Sequence, residues 1–265
     1  MMGNLIVTTG TKSAPENIEI AERMARRLDV LYIARGRDSL ASMKQKYKTA
    51  YVLVVRHGDL FLETPSGEFF FHPNMAHVRI KNLRQGKKDR FIEAAGIKMG
   101  MTVLDCTLGL GSDAIVASYV TGETGAVRGL EVSPVIAAVV AFGLKRMTTP
   151  NNVALAAMRR IQVITADYKD FLRQQPDKSV DVIYFDPMFR RPLLDSVSLN
   201  PLRSLADSRP LSEEAVQEAR RVARCRIVMK EARGSREFSR LGFSVYEGGR
   251  YSRVGYGVLD LSSKE

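Results

Sequence analysis

Apolar spacing changes along the chain, and the change divides it. In the first 78 residues the apolar runs are short and varied. Leu5–Thr9 predicts a strand closed by Gly10. Ile18, Ala21, Ala25 and Leu28 then fall at helical spacing with Glu and Arg between them, which predicts a helix starting near Ser13-Ala14-Pro15. Val30–Ile33 predicts a second strand and Ser39–Tyr47 a short helix. Tyr51–Val55 and Leu60–Glu63 predict strands on either side of His57-Gly58-Asp59, and Thr64–Gly67 a turn before a strand over Glu68–Phe71. The aromatic run Phe69–Phe71 is expected in the core. Residues 1–78 thus read as a small α/β accessory unit.

From residue 79 onward the alternation is regular. Met101–Leu104 predicts a short buried strand, followed by a glycine turn and a helix over Ser112–Val120. Gly125–Glu131 predicts the next strand, and Pro134 sits where a first helical turn tolerates it, with the helix running to about Met147. Strands follow at Ile161–Ile164 and Val180–Phe185, then a Ser-, Pro- and Arg-rich loop to Pro210. A helix over Ser212–Ala223 leads to a strand at Arg226–Met229. Phe243–Glu247 and Val254–Leu261 flank Gly248-Gly249 and predict an antiparallel hairpin. The expected fold class is therefore α/β: a doubly wound, seven-stranded, mostly parallel sheet over residues 79–265 with a C-terminal hairpin.

Composition narrows the class of function. Of 265 residues, 45% are hydrophobic and 26% charged, which fits a globular chain with a sizeable core. The formal net charge of +11 favours a polyanionic partner, RNA or DNA before an anionic membrane. Between Arg79 and Lys98, basic residues stand at 79, 81, 84, 87, 88, 90 and 98 against acids at 89 and 93. That stretch reads either as a solvated helical face or as a nucleic-acid contact. Two cysteines, Cys106 and Cys225, make no CxxC pair, and the three histidines do not cluster, which argues against a disulfide scaffold or a zinc site. The N-terminal residues do not resemble a signal peptide, and no apolar run approaches a membrane span, so a cytoplasmic location is expected.

The stretch Asp105-Cys-Thr-Leu-Gly-Leu-Gly-Ser-Asp113 carries the first chemical signal. Gly109 and Gly111 permit a tight turn that brings backbone close to a ligand. Gly109 to Ala114 satisfies G-x-G-x-x-G/A, and Glu131 lies about 20 residues on, as in dinucleotide sites. Asp105 and Asp113, however, would repel a pyrophosphate, and the Lys and Ser/Thr of a phosphate loop are missing. A ligand with a sulfonium and an ammonium, such as S-adenosylmethionine (SAM), suits these carboxylates better. Asp105, Glu131, Asp167 and Asp186 each follow a successive predicted strand, so all four are expected at the carboxyl edge of one sheet, where α/β folds bind ligands.

These residues together resemble the class I SAM-dependent methyltransferases. The resemblance implies that Asp105, Thr107, Gly109, Gly111 and Asp113 cradle the methionine part of SAM, that Glu131 holds the ribose hydroxyls and that Asp167 reaches the adenine amine. Asp186-Pro187-Met188-Phe189 occupies the place of the Asp/Asn-Pro-Pro-Tyr/Phe motif of methyltransferases acting on exocyclic amines of bases. It implies catalytic roles for Asp186, Pro187 and Phe189: two hydrogen-bond acceptors for the amine and a ring on which the base stacks. Asp-Pro-Met-Phe, with Phe71-His-Pro-Asn-Met-Ala76 and Asp89-Arg-Phe-Ile-Glu-Ala-Ala-Gly96, is similar to a narrower group, the bacterial small-subunit ribosomal RNA guanine-N2 methyltransferases of the J type. Arg190 and Arg191 are then candidate phosphate contacts, with a solvated loop as the plainer alternative. The implied partners are SAM and ribosomal RNA or the small ribosomal subunit, with no metal.

Three other functions compete. A SAM enzyme acting on a small molecule or protein explains Asp105 to Asp167 equally well but leaves the basic charge and Asp186-Pro187 unused. An NAD-dependent oxidoreductase fits the glycines alone. An RNA-binding module without catalysis would keep the charge and lose the chemistry.

Overall fold

The computed structural model describes residues 5–149, 152–187, 209–246 and 252–262. The N-terminal part contains β1 (Leu5–Thr9), α1 (Pro15–Leu28), β2 (Leu31–Tyr32), α2 (Leu40–Lys46), β3 (Tyr51–Arg56), β4 (Asp59–Thr64) and β5 (Gly67–Phe70). They form a five-stranded sheet in the order β2-β1-β3-β4-β5. β1 pairs in parallel with β2 and β3, and β3-β4-β5 is an antiparallel meander. The β3–β4 hairpin closes on His57-Gly58, both at positive φ (53° and 76°), with Arg56 opposite Asp59. That is the backbone a two-residue turn needs to match strand twist. The aromatic run splits by strand alternation: Phe69 and Phe71 are buried, whereas Phe70 is 41% exposed.

Two helices, α3 (Asn74–Arg84) and α4 (Arg90–Ala95), lead into the second sheet. α3 crosses the junction between residues 78 and 79, and the Asp89 side chain caps α4 by accepting from Ile92 N at 3.2 Å. The second sheet contains β6 (Thr102–Asp105), β7 (Ala126–Glu131), β8 (Ile161–Thr165), β9 (Val180–Phe185), β10 (Ala223–Ala232), β11 (Ser244–Tyr246) and β12 (Val254–Asp260). Its order is β11-β12-β10-β9-β6-β7-β8, parallel from β10 to β8, with β12 antiparallel to β10 and to β11. The helices between these strands are α5 (Ser112–Thr121), α6 (Pro134–Arg146), α7 (Asn152–Arg160), α8 (Tyr168–Arg173), α9 (Glu213–Val222) and α10 (Glu237–Arg240).

Both faces of this sheet are covered. Val182 and Tyr184 join the hydrophobic cluster on one side, and Ile183 and Phe185 the cluster on the other, so from Val182 onward β9 is apolar on both faces rather than alternating. The first cluster also takes in Leu5, Val7, Leu53 and Leu62, so the two sheets share it. Gly143 of α6 packs tightly on Phe71, just after β5: a Cβ there would stand 2.3 Å from its ring. No helix among the described residues is long and apolar enough to cross a membrane.

The chain runs outward from β6 through β7 to β8, then returns to place β9 on the other side of β6. The strand order therefore reverses between β6 and β9, and in open α/β sheets ligands bind outside the carboxyl ends at that point.

Candidate active site

Asp105 ends β6 and Asp186 follows β9 directly, so the two carboxylates flank the reversal point. Hydrogen bonds to both flanking strands hold the loop after β6. Cys106 N donates to Tyr184 O (2.9 Å), Leu108 N to Leu130 O (2.9 Å), and Asp186 N to Thr107 Oγ1 (2.6 Å). Thr107 thus couples the glycine loop to the Asp186-Pro187 turn. Gly109 and Gly111 adopt φ of 49° and 74°, where an L side chain is strained. At the end of β7, Glu131 accepts from Gly109 N (3.3 Å) and Ser133 N (2.9 Å), fixing the other flank of the loop. Asp167 caps α8 by accepting from Lys169 N at 2.9 Å, and its second oxygen accepts from Arg209 Nη2 at 2.6 Å.

Asp105 is only 2% exposed. Its Oδ1 accepts from Thr107 N at 3.0 Å. Burial pushes its carboxyl well above the ordinary range, against the pull of the Thr107 N–H. No second donor reaches it among the described residues. A buried carboxylate in this state fits a ligand that brings its own ammonium.

Asp113, in the first turn of α5, is instead surrounded by protein donors. Arg79 Nη1 lies 2.5 Å from one oxygen, and Tyr184 Oη (2.9 Å) and Lys230 Nζ (3.3 Å) reach the other. Burial alone would raise its carboxyl, but Lys230 and Arg79 outweigh burial and hold it below the usual carboxylate range. The first-turn N–H groups of α5 add a favourable dipole. Lys230 Nζ also donates to Asp186 Oδ2 at 2.7 Å. Burial would lower the Lys230 ammonium, but Asp113 and Asp186 more than offset that and keep it cationic. Asp186 is raised by burial, with Lys230 opposing.

The structure thus gathers Asp105, Thr107, Gly109, Gly111, Asp113, Glu131, Asp186 and Pro187 along one sheet edge, with Asp167 one strand beyond. Met188, Phe189, Arg190 and Arg191 lie outside the described residues. Two members take partners that the sequence does not name: Arg79, and Lys230, which follows the apolar run Ile227–Met229 and is expected near the site. Arg79 is not part of a solvated basic face; it is 19% exposed in its side chain and pairs with Asp89 and Asp113. Lys230 interrupts an apolar strand near its carboxyl end, a signal that marks a functional lysine without naming its partners.

Comparison with known proteins now decides the family. The profile described as "Putative SAM-dependent methyltransferase" matches residues 41–241. The chain belongs to this SAM-dependent methyltransferase family. It is an enzyme, and its cofactor is SAM. Along 97% of its length the chain is 38% identical to all of the uncharacterized protein YpiP of Bacillus subtilis. It is 32% identical over 165 residues to ribosomal RNA small subunit methyltransferase J of Buchnera aphidicola from Schizaphis graminum, covering 60% of this chain and 64% of that protein. A crystal structure of the SAM-dependent methyltransferase NGO1261 of Neisseria gonorrhoeae superposes with a TM-score of 0.62 at 14% identity, over 99% of this chain and 98% of that one. This last likeness is one of fold. The expected seven-stranded methyltransferase sheet with its antiparallel hairpin is therefore the observed one.

Proposed function

We propose that the enzyme methylates an exocyclic base amine of ribosomal RNA, guanine N2 being the favoured target. The observation that carries this reading is Asp186-Pro187 at the reversal point, tied through Thr107 to the glycine loop, with one carboxylate oxygen that no donor among the described residues reaches. A base amine is a poor nucleophile because its lone pair is delocalised into the ring. Asp186 and the Pro187 carbonyl accept its two hydrogens, which localises the lone pair and fixes its direction. Bound SAM supplies an electrophilic methyl group. Attack by the nitrogen forms the N–C bond as the methyl–sulfur bond breaks, and the nitrogen then releases one proton to water or to a carboxylate. Phe189 stacks on the base, and Arg190 and Arg191 hold flanking phosphates.

In the same reading, Asp105, Thr107, Gly109 and Gly111 hold the methionine moiety of SAM, Glu131 its ribose hydroxyls and Asp167 its adenine amine. Glu131 lies beside the loop that would hold the methionine moiety, its two oxygens accepting from Gly109 N and Ser133 N. Asp113 supports this loop through its ion pairs. Residues 1–78 form an accessory unit that docks RNA, and residues 79–265 form the methyltransferase unit. Exposed Phe70 together with Lys81 and Arg84 of α3 supports the docking role. The net charge of +11 and the name of the Buchnera relative support RNA over a small molecule. Filter binding to ribosomal RNA across a salt series tests the substrate class. Affinity that falls log-linearly with salt is expected, and affinity indifferent to salt contradicts it.

A further inference from the structure

Five charged side chains alternate in sign from the helices ahead of the sheet to the Asp186 turn: Asp89, Arg79, Asp113, Lys230 and Asp186. Asp89 meets Arg79 through two bonds of 2.7 and 2.9 Å, and Arg79 meets Asp113 at 2.5 Å. Lys230 spans Asp113 (3.3 Å) and Asp186 (2.7 Å). All five side chains are between 10% and 26% exposed, so solvent screens these pairs weakly. Arg79 serves Asp113 from the far side, which leaves the shorter contact of Lys230 to Asp186.

The turn itself is held at two points. Its backbone N–H donates to Thr107 Oγ1, and Asp186 Oδ2 accepts from Lys230, while no donor among the described residues reaches Asp186 Oδ1. We propose that Lys230 is a positioning residue for methyl transfer, clamping one oxygen of Asp186 so that the other is presented to the substrate amine. This rests on the reading of Asp186 as the amine acceptor. Lys230 faces two carboxylates and stays cationic, so it is not the base that takes the proton. Its charge instead keeps Asp186 ionised in a site that burial would drive toward the neutral acid, a form with one fewer acceptor lone pair and an added donor.

The groups facing this pair come from every strand around it. They are Asp105 at the end of β6, Asp113 on α5, Tyr184 on β9, Tyr256 opposite Lys230 on β12, and Arg79 on α3. Both phenols are raised and stay neutral near neutral pH. Asp113 pushes Asp186 toward protonation if Lys230 is removed.

The test compares wild type with Lys230→Met and Lys230→Arg in two measurements. One is the pH profile of methyl transfer from labelled SAM to ribosomal RNA. The other is a carbon-13 carboxyl titration of Asp186 in the ligand-free protein, assigned with Asp186→Asn. Lys230→Met is expected to lower transfer roughly 10- to 100-fold at neutral pH. Its acid limb and the Asp186 titration both move up by about one to three pH units. S-adenosylhomocysteine affinity stays within several-fold, and Lys230→Arg restores the limb. An unmoved limb and titration in Lys230→Met overturn the clamp. If wild type transfers nothing to ribosomal RNA while the titration still moves, the RNA reading fails and the clamp stands. If the single variant does not fold, Lys230→Met with Asp113→Asn removes one cation and one anion together. That double variant is then compared with Asp113→Asn alone, and an Asp186 titration no higher in the double variant than in Asp113→Asn also overturns the proposal.

Discussion

Asp113→Asn removes the negative charge between Arg79 and Lys230 while keeping the shape of the side chain. In wild type this carboxylate is 11% exposed and lies 2.5 Å from Arg79, 2.9 Å from Tyr184 and 3.3 Å from Lys230. Taking one partner out of a buried ion pair costs about 3–5 kcal/mol, mostly as the penalty of the charges left behind. Arg79 and Lys230 are 19% and 21% exposed, and each keeps a second carboxylate, so the lower end applies, about 3 kcal/mol. For a chain of this size that corresponds to a fall in Tm of roughly 6–12 °C. Thermal unfolding of both proteins across a pH series reads it. The native carboxyl of Asp113 is depressed, so its contribution is complete above the ordinary carboxylate value and disappears as pH falls through the depressed native value. The gap between variant and wild type should therefore hold from neutral pH down to about 5 and close on further acidification. A loss under about 1 kcal/mol at pH 7, the level of an exposed pair, refutes the buried-charge argument.

Three further outcomes follow from packing and charge. Gly143→Ala ordinarily gains up to about 1 kcal/mol within a helix, but here the new Cβ meets Phe71 at 2.3 Å, so a lowered Tm is expected and a raised one contradicts the packing. Gly129→Ala places a Cβ 2.5 Å from Leu108 in the glycine loop proposed to hold SAM. It should weaken S-adenosylhomocysteine binding about tenfold by calorimetry, within the roughly 1–3 kcal/mol of overpacking, and unchanged affinity would count against the loop's role. Asp105 is raised in the free enzyme, and a ligand ammonium favours its ionised form. Binding in mildly acidic buffer should therefore release protons, and affinity should fall as pH drops through the raised value. Equal calorimetric heats in buffers of different ionisation enthalpy would refute this.

The parallel strands β6 to β9 were legible as short, mainly apolar runs with an acid at or just after the end: Val180–Phe185 followed by Asp186 needs no partner to be recognised. β10 was legible only in part. The apolar run Ile227–Met229 marks its centre, but the strand spans Ala223–Ala232. Its charged residues are tolerated because each finds an acid: Arg224 meets Asp181, Arg226 meets Asp260 and Lys230 meets Asp186. Those partners are set by strand order, which spacing along the chain does not encode. The same holds for Arg79, whose sequence neighbours are basic and whose partner Asp113 is brought beside it by α5. The short helices α4 and α7 carry too few turns for a periodic pattern to stand out. The carboxylate series at strand ends was legible because one sheet edge collects every such residue.

The reaction proposed for this enzyme is transfer of a methyl group from SAM to a base amine in ribosomal RNA. Incubating the enzyme with labelled SAM and small-subunit RNA, free or in assembled subunits, and digesting the RNA to nucleosides tests it directly. Label is expected in N2-methylguanosine at a defined position and none with Asp186→Ala, which should still bind S-adenosylhomocysteine. Label absent from RNA, or undiminished in Asp186→Ala, would contradict it.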